Sequence, residues 1–212
     1  SFSQATTTTG AINPFQTIER KDVGLTLKIK PQISEGGTVK LIDQRRLPFT
    51  FGILSLRTYQ ETAEAIRDMA VRGAGAIGVA AGFGMAQAIL AAQADAFESD
   101  IARAASVLRS TRPTAWNLFY AVDRVVADSG CPAPCSEPGA AGDRRAPDLA
   151  GVRERAVEAA QAIADEDAQA GERIGELGQP LIPSSGAILT HCNAGWLAFA
   201  DWGTALAPIY RA

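Results

Sequence analysis

Residues Ala74 to Ala92 form the longest apolar stretch of this 212-residue chain, and they constrain its fold more than any other segment. Alanine and glycine outnumber leucine in the stretch, and Gln87 interrupts it near its end. A membrane span requires about 20 predominantly apolar residues and is usually richer in large aliphatic side chains. The pattern therefore predicts a buried helix and not a membrane span.

Composition narrows the classes of function. The chain has 47% hydrophobic residues, 20% charged residues and a net charge of −3, which is typical of a soluble globular protein. It lacks the basic excess that nucleic-acid binding usually requires, so we expect neither nucleic acid nor a membrane as a partner. Three cysteines do not make a disulfide framework, and the N-terminus lacks the pattern of a signal peptide, so we expect a cytoplasmic location. Cys131 and Cys135 could be metal ligands, but no second pair accompanies them, so we expect two loop thiols, no metal and no cofactor.

The N-terminal part of the chain predicts a small antiparallel sheet. Apolar and polar residues alternate from Val23 to Ile29, and residues 39–42 and 51–56 extend the same signal. The period then changes, because Thr58 and Glu61 have the spacing of a capping box. This box begins a helix that we expect to run to Val71 and to close at Gly73.

Helices are predicted to dominate the rest of the chain, because apolar residues recur at intervals of three and four positions. The predicted helices cover residues 74–94, 98–109, 115–128 and 151–177. Residues 129–150 separate the last two helices and are rich in Pro, Gly and Ala, which predicts a mobile linker or insertion.

The glycine-rich segment from Arg72 to Gly78 joins two predicted helices and is the first candidate site. Its backbone N–H groups and the positive end of the second helix could hold an anion, to which Arg72 would add charge. Close packing between helices is the alternative explanation for these small residues.

Arg112 is the second candidate. Pro113 should break the chain here, and Thr114 should cap the helix that follows. An arginine at a helix N-terminus faces the unfavourable end of the helix dipole, so a bound anion would explain its position. A solvated surface arginine is the alternative.

His191 and Cys192 follow the apolar run Ala187 to Leu189, which predicts a buried strand that ends in a glycine-containing loop. Ligands bind at the carboxyl ends of strands in open α/β sheets. Neighbouring residues on a strand point to opposite faces, so Cys192 would act alone as an acid or base, or serve only in packing. One strand with one helix cannot form a doubly wound sheet, so the strand joins a partner molecule or the chain is a fragment.

Four segments, taken together and in this order, resemble the methylthioribose-1-phosphate isomerase family. They are Leu41 to Pro48, Val71 to Gly78, Arg112 to Leu118, and Thr190 to Gly195. The likeness is weaker to ribose-1,5-bisphosphate isomerases and to regulatory subunits of the translation initiation factor 2B exchange factor. Four motifs in the correct order are far more specific than any one of them.

The resemblance implies an aldose–ketose isomerase of methionine salvage. Its substrate would be S-methyl-5-thioribose 1-phosphate or a close 5-substituted analogue, and its product the ribulose 1-phosphate. The residues implied to bind this sugar phosphate are Arg72, Gly73, Ala74 and Arg112, and Cys192 is implied to take part in the acid/base step. The chemistry requires a firm phosphate anchor and two proton-exchanging groups. The second group in this family is an aspartate of a following Rossmann-like domain, and Asp201 lies too soon after Cys192 to be that residue.

The resemblance also completes the expected architecture, an α+β to α/β fold that forms a homodimer when full length. The expected segments are a disordered tail (1–20), a β-plus-helical domain (21–128), a flexible linker or insertion (129–150), a long helix of that domain (151–183) and the start of a truncated Rossmann-like domain (184–212). Gly75 stands where the family more usually has proline, which leaves a more flexible backbone. The alternatives are a ribose-1,5-bisphosphate isomerase and a non-catalytic regulatory subunit. In a regulatory subunit, we would not expect Arg72, Arg112 and Cys192 to be retained together.

Overall fold

The computed structural model describes residues 32–34, 36–131 and 148–212. The predicted tail, the predicted strand at 23–29 and most of the predicted linker lie outside these residues. The described part is mostly helical and carries one small antiparallel sheet. The central elements of the predicted fold class are therefore confirmed.

The sheet has three strands, β1 (Gln32–Ile33), β2 (Val39–Ile42) and β3 (Ile53–Leu56), in the order β1-β2-β3. Strand β2 pairs antiparallel with both neighbours, and its register places Val39 opposite Leu56. Val39 and Leu41 are buried whereas Lys40 between them is exposed, as the period of two requires. The predicted strands at 39–42 and 51–56 are confirmed, although β3 begins two residues later than expected.

Helix α1 (Tyr59–Arg67) begins at the predicted cap. The Thr58 side chain accepts a hydrogen bond from the Glu61 N–H, and the Glu61 carboxylate accepts one from the Arg57 N–H. The helix ends four residues before Val71, so the predicted end was wrong. The reason is tertiary: Met69 adopts a φ of 60°, and the Ala70 carbonyl turns away to accept a hydrogen bond from the Gln44 N–H.

Helix α2 (Ala74–Ala91) occupies the core, and every residue from Gly75 to Ile89 is buried. Helices α1, α3, α4 and α5 all pack against it. Among the described residues, α2 is the one helix long and apolar enough to cross a membrane by length and composition, but 83% of that window is buried inside the protein. The prediction of a buried helix is confirmed.

Three more predicted helices are present with ends close to those expected. They are α3 (Phe97–Thr111), α4 (Trp116–Asp128) and α5 (Leu149–Gly178). The predicted cap of α4 was wrong, since Ala115 and not Thr114 occupies the N-cap position and makes no side-chain cap bond. The Ala115 N–H instead donates to the Arg112 carbonyl and closes a turn directly after α3.

The segment after α5 contains two short 3₁₀ helices, Gln179–Leu181 and Trp196–Ala198, and the terminal helix α6 (Ala207–Arg211). The predicted buried strand at 187–189 was wrong. Residues 187–189 form neither helix nor strand, and Leu189 is 97% exposed. Among the described residues no strand lies beside it, and a strand needs a neighbour to satisfy its backbone groups. The Rossmann-like domain therefore stays a prediction.

Three glycines on one side of α5 allow the C-terminal segment to pack closely. A Cβ atom placed on Gly171 would lie 2.6 Å from the Gly203 carbonyl oxygen, and one placed on Gly178 would lie 2.4 Å from Pro208. Gly175 lies between them and faces Ala207 in the same way. The segment from Asp201 to Pro208 thus lies in a groove of α5 that larger side chains would fill.

Gln87 is the one polar side chain of α2, and it connects the helix to the sheet. Its Nε2 donates to the Gly37 carbonyl at 2.8 Å and to the Leu56 carbonyl at 2.9 Å, and its Oε1 accepts from the Thr62 hydroxyl at 2.7 Å. Nε2 thus donates two hydrogen bonds and Oε1 accepts one, so this polar group is tolerated in the core.

We predict that Gln87→Leu lowers the free energy of unfolding by on the order of 3 kcal/mol, because it leaves buried carbonyl groups and a hydroxyl without partners. Urea denaturation followed by circular dichroism measures this loss. Gln93→Leu, at an exposed position beyond the end of α2, is the control and should leave stability nearly unchanged. Equal stability of the two variants would contradict the assigned role of Gln87.

Candidate functional site

The N-terminus of α2 is the place where the sequence motifs meet. The buried side chain of Gln44 donates from Nε2 to the Leu197 carbonyl at 2.7 Å and reaches the Arg72 carbonyl at 3.5 Å. Gln44 belongs to the segment after β2, Arg72 precedes α2, and Leu197 follows the segment that contains Cys192. One amide therefore joins three of the four motif regions.

Gly73 forms the N-cap of α2 in a conformation that favours glycine. Its φ is 106°, and a Cβ atom at this position would lie 2.3 Å from Cα of Ala198. Glycine has no side chain that could cap the helix, and the first turn of α2 contains no acidic residue. The positive end of the α2 dipole is therefore not neutralised by its own helix, as an anion site requires.

Arg112 lies directly after α3 and is half-buried. Its Nη1 atom is buried and has no hydrogen-bond partner within the described part of the chain. The motif that Arg112 opens also reaches α2, since a Cβ atom placed on Gly78 would lie 3.0 Å from Cβ of Asn117. Buried guanidinium N–H groups are normally satisfied, so the unpartnered Nη1 is the clearest sign of a missing acceptor.

The remaining predicted residues are accessible. Arg72 and Ala74 are exposed at the start of α2. Cys192 is exposed as well, with a φ of 66°, and His191 beside it is exposed. A positive φ is unfavourable for a residue with a side chain and is found preferentially at functional sites. The expectation that Cys192 ends a buried strand was wrong, whereas its role in catalysis stays a prediction.

Asp167 of α5 is a site residue that the sequence reasoning missed. Its Oδ2 accepts a hydrogen bond from the Ala200 N–H at 2.6 Å, and its Oδ1 would lie 2.5 Å from a Cβ atom at Gly75. Burial raises the pKa of this carboxyl, an effect that the Ala200 hydrogen bond partly offsets. Asp167 also lines a cleft of about 220 Å³ between α2, α4 and α5, together with Gly75, Gly78, Asn117, Tyr120 and Glu166.

A signal for Asp167 was present in the sequence. Ile163 and Gly171 lie four residues before and after it, and both are on the buried side of α5. An acidic residue at the middle of such an i, i+4, i+8 series faces the core, where it needs a partner. Gln44 gave no comparable signal, because it lies in a loop whose path the sequence does not fix.

Arg124 of α4 closes the outer side of the same cleft. Its guanidinium forms a two-pronged ion pair with Glu166 of α5, with Nη2 at 2.7 Å from Oε1, and contacts Tyr120 and Asp128 on its own helix. The hydrogen bonds to Arg124 lower the pKa of Glu166, and those to Glu166 raise the pKa of Arg124. The charge of Arg124 is already neutralised by Glu166, so we do not count it with Arg72 and Arg112 as a candidate phosphate anchor.

Comparison with known proteins places this site in a family. The model of the initiation factor 2 subunit family matches residues 70–212, which begin two residues before Arg72. The chain belongs to the initiation factor 2 subunit family. The matched residues include α2 to α6 and all five residues predicted to bind or transform a substrate. The sheet and α1 lie outside the match.

Relatives that match most of the chain are named as isomerases. The chain is 47% identical over 186 residues to the methylthioribose-1-phosphate isomerase of Methylorubrum extorquens, covering 84% of this chain and 46% of that protein. It is 43% identical over 185 residues to the 5-deoxyribose 1-phosphate isomerase of Moorella thermoacetica, covering 86% and 49%. The chain thus spans about half the length of these relatives. The predicted resemblance is confirmed.

Two solved structures share the fold. The 5-methylthioribose 1-phosphate isomerase of Pyrococcus horikoshii superposes with a TM-score of 0.69 at 35% identity, covering 87% of this chain and 50% of that one. The delta subunit of the translation initiation factor eIF-2B of A. fulgidus gives 0.70 at 34% identity, covering 86% and 50%. Family members named for different activities therefore match this chain equally well in backbone structure.

We predict that Asp167 gives this family member a pH-dependent stability. Its pKa is raised above the ordinary 3.8, so the folded protein binds the proton more tightly than the unfolded chain. The contribution of Asp167 to the free energy of unfolding is therefore fully present below the pKa that the group has in the unfolded chain. It is lost as the pH rises through the higher pKa that the group has in the folded protein. Asp167→Asn keeps an acceptor for Ala200 but cannot ionise. The free energy of unfolding of this variant, measured relative to that of the wild type, should therefore increase from about pH 4 to about pH 7.

Urea denaturation at both pH values measures the difference. Asp165→Asn is the matched control, since Asp165 lies on the same helix and its carboxylate accepts a hydrogen bond from Gln161 of that helix. Parallel pH profiles for wild type and Asp167→Asn would contradict the prediction.

Proposed function

We propose that this chain forms the phosphate-binding part of an aldose–ketose isomerase that acts on S-methyl-5-thioribose 1-phosphate in methionine salvage. The observation that carries the proposal is the buried, unpartnered Nη1 of Arg112, in a motif that packs against α2 at Gly78, the fifth residue of that helix. The names and identities of the relatives support it. Because the chain spans about half of their length, the activity is proposed for the protein to which these residues belong.

The phosphate group would be held by complementary charge. The N–H groups of Gly73 and Ala74 would bind the phosphate at the positive end of the α2 dipole, and Arg72 and Arg112 would supply guanidinium groups. Phosphate on the anomeric oxygen prevents the simple ring opening of a free aldose. A firm anchor therefore fixes the sugar while the ring opens and hydrogen moves between C1 and C2.

Cys192 would exchange one of the protons in this step. An exposed thiol is poorly suited to that task alone, because proton transfer in isomerases of this kind requires a shielded site. We propose that residues 184–212 begin a Rossmann-like domain, and that this domain covers Cys192 and supplies an aspartate as the second proton-transfer group. We further propose a homodimer in the cytoplasm, with no nucleic-acid or membrane partner.

Two alternative functions are favoured by particular observations. The likeness to the 5-deoxyribose 1-phosphate isomerase favours a substrate with a different 5-substituent on the same sugar phosphate. The likeness to the eIF-2B delta subunit favours a regulatory protein. Since backbone similarity does not separate these functions, the joint presence of Arg72, Arg112 and Cys192 is the reason to prefer an isomerase.

We predict that the chain binds S-methyl-5-thioribose 1-phosphate and that Arg112→Gln weakens binding by about tenfold to a hundredfold, because a charge-assisted hydrogen bond is lost. Isothermal titration calorimetry measures the affinity. Arg109→Gln, in the last turn of α3, is the control, because Arg109 is paired with Asp123. The unphosphorylated sugar should bind to none of the three proteins.

Unchanged affinity of Arg112→Gln would contradict the proposed role of Arg112 in phosphate binding. Absence of binding by the wild type would favour the alternative that the chain belongs to a regulatory protein. Parallel titration with 5-deoxyribose 1-phosphate distinguishes the two sugar substrates.

We predict that Cys192→Ser, in a polypeptide that continues through the length of the isomerase relatives, lowers kcat by at least about a hundredfold and leaves substrate affinity within a few fold. Serine preserves size but is a much weaker acid than a thiol. A coupled assay of ketose formation measures kcat, and calorimetry measures affinity. Wild-type turnover by this variant would exclude Cys192 from proton transfer.

A further inference from the structure

We propose that Asp167 is a positioning residue for Cys192, acting through the loop of residues 194–204 that follows it. The inference rests on the proposed function, in which Cys192 takes part in proton transfer, and it adds a residue that none of the four motifs contains. The carboxylate would fix this loop on the first turn of α2 and thereby set the position and environment of the thiol.

The first contact is the hydrogen bond from the Ala200 N–H to Asp167 Oδ2, at 2.6 Å. Ala200 is buried, and the Asp167 carboxylate is the acceptor that its N–H uses, so removal of the carboxylate takes away this hydrogen bond. Asp167 is itself held on the rigid helix α5, whose neighbouring residue Glu166 is tied to α4 by Arg124. The loop is thus connected to the helical core by a short and inflexible side chain.

The second contact depends on the missing side chain at Gly75. A Cβ atom there would lie 2.4 Å from Cδ1 of Phe199 and 2.5 Å from Oδ1 of Asp167. No residue other than glycine fits without displacing one of these groups. The absence of a side chain at Gly75 thus leaves the space that Phe199 and Asp167 occupy. The same helix turn that would bind phosphate therefore also seats the loop.

The loop connects Asp167 to Cys192 because the two ends of the loop are hydrogen-bonded to each other. The Ala194 carbonyl accepts a hydrogen bond from the Thr204 N–H at 3.0 Å, and the Gly195 carbonyl accepts one from the Ala198 N–H at 3.0 Å. Gly203 packs against the backbone of residues 194 and 195 with a φ of 77°. Ala194 lies two residues after Cys192. A shift of Ala200 would therefore also move Ala194 and the neighbouring residue Cys192.

The experiment compares Asp167→Ala, Asp167→Asn and Gly75→Ala in the full 212-residue chain. Asp165→Ala, two residues away on the same helix, is the control. Hydrogen–deuterium exchange with mass spectrometry reports opening of residues 194–204. The rate of Cys192 alkylation by iodoacetamide, measured from about pH 6 to about pH 10 on the Cys192 peptide, reports the environment of the thiol.

We expect Asp167→Ala to accelerate exchange in the loop by about tenfold and to shift the midpoint of the Cys192 alkylation profile. Asp167→Asn, whose amide oxygen still accepts the Ala200 N–H, should restore both properties. Gly75→Ala should reproduce the effect of Asp167→Ala by steric displacement, and it tests the proposal independently if Asp167→Ala fails to fold.

Faster exchange with an unchanged alkylation profile in both Asp167→Ala and Gly75→Ala would overturn the positioning role and leave Asp167 a purely structural residue. Unchanged exchange would overturn it as well. Neither readout uses a sugar phosphate, so a failure of the chain to bind one would reject the proposed function without altering these outcomes.

Discussion

The close approach of four helices to α2 is the constraint on which the rest of the structure depends. A helix buried on all sides must present small side chains where its neighbours cross. Helix α2 has glycine at such places: a Cβ atom would lie 3.0 Å from Cβ of Asn117 at Gly78 and 3.1 Å from Cγ2 of Thr62 at Gly84, closer than ordinary van der Waals contact. Its single polar side chain, Gln87, is satisfied by the sheet and by α1. The packing of α2 thus fixes the sheet, α1, α3, α4 and α5 relative to one another.

The same glycine-rich character determines what happens at the first turn of α2. Gly73 allows the chain to turn into the helix beside Ala198, and Gly75 allows Phe199 and Asp167 to approach. The result is a helix terminus whose backbone is accessible on one side and covered by the C-terminal segment on the other. A larger residue at either position would separate the candidate binding loop from the segment that carries Cys192.

The helices could be predicted closely because their information is local. The Thr58 cap, the apolar periodicity of α3 to α5 and the composition of α2 each act within a few residues. The errors occurred where distant residues decide the outcome. Helix α1 ends early because Gln44 captures the Ala70 carbonyl, and the apolar run at 187–189 forms no strand because no described strand pairs with it.

By itself the sequence determined the helical core, the small sheet and the four ordered motifs, and it predicted the residues that we propose to hold a sugar phosphate. Only the tertiary structure decided that Gln44 joins the motifs, that Arg112 has a buried nitrogen without a partner, and that Asp167 holds the loop after Cys192. The physical reason is that a motif fixes which groups are present, whereas hydrogen bonding and burial depend on segments that are distant along the chain, as in the pair Asp167 and Ala200, whose separation is 33 residues. Such contacts exist only once the core around α2 has packed.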